Sequence, residues 1–216
     1  MADAFYEQKT LQYFGTIRRD VMHCFPEKLG DVLDVGGGNG ATSLWLTESD
    51  RASSAVVVDP FCTTKSTERV TFLQEDANDA HVFKTLALEG RTFETILCLD
   101  VLEHLYDPWQ VLKELKPLLA ENGNLIVSLP NMRFVGLVLP LVLWGQFRYK
   151  KSGIMDKTHI RWFTRKTARS LVEDTGFRIC KMEAKIEPRV KLINLLTLGL
   201  FRGFFEYQYF IVATKH

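Results

Sequence analysis

Short apolar runs alternate along this chain with longer segments whose apolar residues recur every three or four positions. Five runs, over residues 32–35, 55–59, 70–73, 95–99 and 124–129, are near-continuous in Val, Ile, Leu and Phe. Each reads as a strand covered on both faces, because a strand with one wet face would alternate with polar residues. Between them lie helical patterns: one beginning near Ala41, one around 80–89 stopped by Gly90, and one that Asp107 caps and Pro108 opens. The last runs to about Ala120, with Gly123 beyond it. Leu11, Phe14, Ile17 and Val21 are spaced for a further helix over 5–24, ahead of the first strand. Strands alternating with helices along the chain predict a doubly wound α/β sheet, parallel, with right-handed crossovers.

The last third changes character. Residues 134–147 are almost wholly apolar, bounded by Arg133 and Arg148, and too short to span the roughly 30 Å core of a bilayer. A second apolar stretch, 192–205, is interrupted by Asn194, Gly199 and Arg202. Between them Thr164 caps a helix over 165–175 that ends at Gly176, a strand follows over 177–184, and a last strand covers 207–214. Two late strands predict an antiparallel pair closing one edge, seven strands in all. There is no repeat, low-complexity tract or linker, so residues 1–216 are expected to form one domain. Within it, 132–151 is a lid-like insertion and 186–205 an apolar helical segment. Three readings of 134–147 stand: a lid over a lipophilic acceptor, a helix resting on a membrane, or a buried helix. The stretch at 192–205 is either its packing partner beside the site's mouth or a homodimer surface.

At 46% apolar and 25% charged residues, the composition is that of a folded globular chain. Cys24, Cys62, Cys98 and Cys180 form no CxxC pair, which argues against a structural zinc or a disulfide framework and for a reducing cytoplasm. The first residues lack the basic and apolar regions of a signal peptide. The net charge of +1 conceals an asymmetry: residues 1–130 carry 11 basic against 20 acidic side chains, residues 131–216 carry 16 against 6. A basic last third points to an anionic acceptor or membrane surface, or else the two halves neutralise each other within one fold. Nucleic acid is a poor partner, since the basic residues are dispersed and no aromatic–basic module is present.

The chemistry concentrates where the first strand breaks into Gly36-Gly37-Gly38-Asn39-Gly40. A strand turning through glycines into a helix is where nucleotide-like ligands sit in such sheets, because the missing Cβ atoms let a ligand approach the main chain. Gly36-x-Gly38-x-x-Ala41 also satisfies a dinucleotide pattern, so the loop alone leaves NAD open. Other residues narrow the choice: Asp59 ends the second strand, nineteen residues past Gly40, Asp76 follows the third, and Asp100-Val101-Leu102-Glu103-His104 follows the fourth.

Together with Ser128-Leu129-Pro130-Asn131, these motifs resemble class I S-adenosylmethionine (SAM)-dependent methyltransferases, in the branch of the ubiquinone-biosynthesis O-methyltransferases and MetW-like proteins. The resemblance covers residues 30–131 well and 152–180 fairly. It implies a Rossmann-like sheet of seven strands, mostly parallel with the last antiparallel. It also implies that Asp34, Gly36, Gly38 and Gly40 form the SAM loop, that Asp59 takes the ribose hydroxyls, and that Asp76 and Ala77 take the adenine while Leu99 lines the site. NAD is disfavoured because the chain after the fifth strand supplies an antiparallel pair, not a second mononucleotide half. The acceptor is expected to be a small molecule attacked through oxygen, conceivably lipophilic, with S-adenosylhomocysteine as product. A MetW-like regulatory homologue and a catalytically silent SAM-binding module are the alternatives.

Methyl transfer asks the protein to align the reactants, exclude water and manage the acceptor's proton. His159, in the polar segment between the two apolar stretches, is the first candidate base, followed by His104 and Asp156, with Asp100 and Glu103 also near the fourth strand. In ubiquinone-type relatives the acid-x-x-Glu-His positions are associated with a divalent metal. Here Asp100, Glu103 and His104 would form that set on one helical face, with the shorter Asp weakening the case.

Overall fold

The computed structural model describes residues 15–79, 81–187, 191 and 195–216. Its strands are β1 (Gly30–Val35), β2 (Ala52–Val58), β3 (Val70–Leu73), β4 (Phe93–Leu99), β5 (Leu119–Pro130), β6 (Phe177–Ile186) and β7 (Glu206–Lys215). They form one seven-stranded sheet in the order β3-β2-β1-β4-β5-β7-β6. Neighbours from β3 to β5 are parallel, and β7 runs antiparallel to both β5 and β6. The strand order reverses between β1 and β4, so the crevice at their carboxyl ends is the switch point.

The helices are α1 (Ala41–Glu48), α2 (His81–Leu88), α3 (Pro108–Leu115), α4 (Val135–Trp144), α5 (Arg165–Glu173) and the single turn α6 (Arg202–Phe205). The apolar runs lack alternation because both sheet faces are covered. Leu33, Val35, Val56 and Ile96 join Phe83 of α2, Leu112 of α3 and Leu171 of α5 on one face. Val32, Val57 and Leu97 join Leu46 of α1 and Val21 on the other. A fully buried Leu or Val contributes about 2 kcal/mol, so these layers hold the loops above them in place.

Several boundaries differ from the pattern reading. α3 stops at Leu115, not near Ala120, because Pro117 has no N–H to continue the ladder; a 3-10 turn over Lys116–Leu118 follows and β5 begins at Leu119. Gly123 then serves not as a helix stop but within a break in pairing, where the β4–β5 register jumps from Phe93–Leu119 to Thr95–Asn124. The helix expected over 5–24 lies outside the described residues up to residue 14. Over the rest, only a 3-10 turn at Met22–Cys24 forms.

Among the described residues the two apolar stretches do not bury each other, unlike the packing expected of them. In α4 only Leu137 is buried, against Ile154 and Met155, while Val142 is 72% and Trp144 64% exposed. Leu195, Leu196, Leu198 and Leu200 are exposed too. A helix apolar on every side has more greasy surface than one insertion covers. Residues 192–194 lie outside the described residues. Among those described, no helix is long and apolar enough to cross a membrane.

Candidate functional site

The site is built where β1, β2 and β4 end. After Val35 the chain turns at Gly36, whose φ is 73° and whose N–H donates to the Val58 carbonyl at 2.8 Å. A Cβ at Gly36 would lie 2.4 Å from Val101 Cγ2, so a side chain there would collide with the loop that follows β4. Below the turn, Asp34 accepts from Ser43 Oγ of α1 at 2.6 Å. Burial pushes the Asp34 carboxyl up to about 6, the neighbouring Asp59 charge adds to the rise, and the Ser43 hydroxyl opposes it.

Asp59 stands one residue past β2. Its Oδ2 accepts the Gly38 N–H at 2.9 Å and its Oδ1 the Phe61 N–H at 2.8 Å, which fixes the carboxylate beside the glycine turn. Burial raises its pKa, while the two backbone donors hold it down. After β3, Asp76 Oδ1 accepts from both the backbone and side-chain nitrogens of Asn78 at 2.9 Å, and Asn78 Oδ1 accepts the Tyr106 N–H at 2.8 Å. These bonds tie the loop after β3 to the loop after β4.

The β4 end carries the densest network. Asp100 has a left-handed backbone, φ 56°, unusual for a residue with a side chain. Its Oδ1 accepts from Ser128 Oγ at 2.7 Å and from Gln208 Nε2, and its Oδ2 faces Arg18 Nη1 at 2.9 Å. Burial alone would lower the Arg18 pKa, but Asp100 and Asp20 outweigh it and raise it, so the guanidinium is held charged.

The next residues, Leu102–His104, form a 3-10 turn and not the expected helix, so Asp100 does not share a face with Glu103 and His104. His104 Nδ1 bonds the Thr158 carbonyl at 3.0 Å, and His159 Nδ1 bonds the Ile154 carbonyl at 2.9 Å. Carbonyls only accept, so both Nδ1 atoms donate. The two rings meet edge to face with centroids 4.7 Å apart, and His159 Nε2 is 3.9 Å from Glu103 Oε1. Asp156 is buried, its Oδ1 taking the N–H and hydroxyl of Thr158 at 2.9 and 2.7 Å, so it shapes the turn that carries Thr158 and His159.

These elements enclose a cavity of about 790 Å³. Asp34, Gly36, Gly38, Asp59, Asp76, Ala77, Leu99, Asp100 and His104 line it. Gly40 caps α1 outside that lining, and its added Cβ would meet Phe72 at 2.5 Å. His159, Asp156 and Glu103 also stand outside it, behind His104 and Thr158. Of the three residues weighed for a metal, Asp100 is tied to Arg18, while Glu103 and His104 stand with His159, their ligand atoms within 4.8 Å of one another. Arg18, Thr42 and Tyr106 line the cavity without having been singled out in the sequence, and Ser128 and Gln208 brace it. Ser128 lay in a noted motif; nothing in one sequence marks Arg18 or Gln208, whose partners lie far along the chain.

A family model described as a methyltransferase domain matches residues 9–181. Ubiquinone biosynthesis O-methyltransferase from Xanthomonas euvesicatoria pv. vesicatoria (strain 85-10) is 28% identical over 148 residues, covering 65% of this chain and 60% of that protein. The Histophilus somni (strain 2336) enzyme of the same name is 30% identical over 129 residues, covering 55% and 52%. The match thus spans about 60% or less of the length of these curated relatives. Among solved structures, a SAM-dependent methyltransferase from Archaeoglobus fulgidus superposes with a TM-score of 0.62 at 19% identity, over 88% of this chain and 87% of that one. The 1,6-didemethyltoxoflavin-N1-methyltransferase of Burkholderia thailandensis, crystallised with bound 1,6-didemethyltoxoflavin and S-adenosylhomocysteine, gives a TM-score of 0.63 at 14% identity, over 99% of this chain and 84% of that one. With the glycine turn, the switch-point cavity and the β3-β2-β1-β4-β5-β7-β6 order all in place, the chain belongs to the methyltransferase-domain family and has the class I SAM-dependent fold.

Proposed function

We propose that this chain transfers a methyl group from SAM to an oxygen nucleophile on a small, lipophilic acceptor. The observation that carries the reading is the 790 Å³ cavity, in which one space joins the glycine turn, the Asp59 carboxylate and the Asp100–His104 loop. The residues fit the cofactor: a bare main chain runs from Gly36 to Gly38 beside a carboxylate fixed by two backbone donors. Bound there, SAM supplies an electrophilic methyl on a cationic sulfonium.

In this reading Asp59 takes the ribose hydroxyls, with charge-assisted bonds stronger than neutral ones. Asp76 and Ala77 border the adenine, and Leu99 supplies backbone at the end of β4. Asp100 and Arg18 orient the acceptor, as a fixed ion pair costs no reorganisation when the reactants meet. His104 receives the acceptor's proton at Nε2, because its Nδ1 is committed to the Thr158 carbonyl. His159 and Asp156 serve behind it as positioning residues. The ubiquinone-biosynthesis relatives favour oxygen as the methylated atom, and the apolar insertion favours a lipophilic acceptor.

Calorimetric titration with SAM, S-adenosylhomocysteine and NAD, followed by a labelled-methyl screen of phenolic and hydroxylic acceptors, tests the proposal. Tight SAM and S-adenosylhomocysteine binding with label appearing on an oxygen is the expected result. Binding of NAD in their place overturns the cofactor reading. SAM binding without turnover on any acceptor overturns the enzyme reading in favour of a silent SAM-binding module.

A further inference from the structure

From residue 122 to residue 155 the chain carries no acidic side chain, while Arg133, Arg148, Lys150 and Lys151 all stand exposed. Between the two arginines, α4 turns Leu139, Leu141, Val142, Leu143 and Trp144 outward. Leu195, Leu196, Leu198, Leu200 and Phe201 form a second exposed apolar group. Both groups spring from one place. Asn131 Nδ2 donates to the carbonyls of Gly203 at 3.0 Å and Glu206 at 2.7 Å, and the Arg133 guanidinium lies over the Phe204 ring at 4.3 Å. That junction joins the carboxyl end of β5 to the amino end of β7, the end of the sheet on which the methyltransferase cavity opens.

We propose that this face rests on an anionic phospholipid surface, with the outer residues of α4 at the headgroup boundary and the four cations on lipid phosphates. Patches this apolar are uncommon on a surface that meets only water. At ten residues α4 is about 15 Å long, which suits lying in the interface and not crossing it. Trp144, at the helix end beside Gly145, is the residue type that settles at that boundary. A second copy of the chain fits worse. A two-fold contact through this face would set the four cations of one protomer against the same four of the other. Among the described residues few acids stand nearby to answer them: Asp156 is buried and holds Thr158, Glu206 is buried and engaged by Arg165 at 3.0 Å and Arg202 at 3.3 Å, and Glu187 beside Tyr207 is half-buried. Beneath α4 a cavity of about 310 Å³, lined by Phe134, Leu137, Ile154, Met155 and Tyr207 with Arg148 and Lys150 beside them, gives an acyl end room to enter. The proposal stands independently of the methyl-transfer reading.

Co-sedimentation of the full chain with vesicles of phosphatidylglycerol and phosphatidylcholine, against phosphatidylcholine alone, tests it. Pelleting with the anionic vesicles, weakened by salt, is expected, with a blue shift of tryptophan emission that Trp144→Phe removes. Each cation reversed among Arg148, Lys150 and Lys151 should weaken binding at least about fivefold. Val142→Ser/Leu143→Ser should abolish it while leaving SAM affinity unchanged, since neither residue lines the cofactor cavity. Equal binding to neutral and anionic vesicles, or none to either, overturns the proposal. So does a concentration-dependent dimer in sedimentation velocity that Leu143→Asp dissociates.

Discussion

Arg18 Nη1 lies 2.9 Å from Asp100 Oδ2 within the lining of the cavity, although 82 residues separate them in sequence. The contact holds a carboxylate in place on a strained, left-handed backbone. It also joins the segment ahead of β1 to the ends of β4, β5 and β7 through Ser128 and Gln208. The two side chains are 20% and 33% exposed, so water screens the pair and its worth sits below that of a fully buried one. Arg18→Met and Asp100→Asn should each destabilise by about 1–2 kcal/mol, and the double variant by less than their sum, with a coupling of at least ~0.5 kcal/mol. Urea denaturation of the four proteins measures this; strict additivity would show that the ion pair contributes nothing of its own.

Asp59 reaches the Gly38 N–H with one oxygen and the Phe61 N–H with the other, so its carboxylate is preset beside the turn. Asp59→Asn keeps an acceptor oxygen and removes the charge. SAM affinity should fall about 30-fold, the equivalent of roughly 2 kcal/mol for bonds to a charged group. Calorimetry reads the affinity, and a thermal melt checks that the fold survives. A change under threefold would take the ribose away from this residue.

What the sequence makes legible follows from the range of the forces involved. Strands β1, β2 and β4 are buried on both faces, so Val32–Val35, Val56–Val58 and Ile96–Leu99 announce themselves as unbroken apolar runs. Asp107 and Thr164 announce their helices because a cap acts within three residues: Asp107 accepts from Gln110 N and Thr164 from Thr167 N. The end of α3 was open to misreading, because the helical pattern continues past Pro117 while the backbone does not. Exposure of α4 was not readable at all, since an all-round apolar helix looks the same whether neighbours cover it or not. Within the site, the glycine turn and Asp59 are local to strand ends and therefore visible. Arg18 and Gln208 act on Asp100 only through the folded sheet order. In sequence, the polar neighbourhood of His159 favours it over His104; only the fold shows the Thr158 carbonyl holding His104 at the cavity and the Ile154 carbonyl holding His159 behind it.

The two histidines can be separated by their pH dependence. Should His104 take the acceptor's proton, kcat rises with pH along one acidic limb as the imidazole loses its own. His104→Gln should lower kcat by about 10²–10⁴ and erase that limb while sparing SAM affinity. His159→Gln should lower kcat less and leave the limb in place, because His159 stands outside the cavity lining and meets His104 edge to face, with centroids 4.7 Å apart. A limb that survives in His104→Gln and vanishes in His159→Gln would exchange their roles.

Asp34 gives the fold its own pH dependence. Burial raises its carboxyl from the ordinary 3.8 to about 6 in the folded chain. The folded state therefore holds the proton more tightly than the unfolded state between those two values. Stability falls as pH rises through that window, because folding must keep a dry carboxylate charged above it. At about 1.4 kcal/mol per pKa unit the loss is at most about 3 kcal/mol. Asp34→Asn still offers an oxygen to Ser43 Oγ and has no proton to release, so its urea midpoint should stay flatter than that of the unmodified protein between pH 4 and 6. Above that window the variant should be the more stable of the two in the absence of SAM. Parallel midpoint curves for the two proteins would mean that the Ser43 hydroxyl, and the Arg18 charge beyond it, already offset the burial of Asp34.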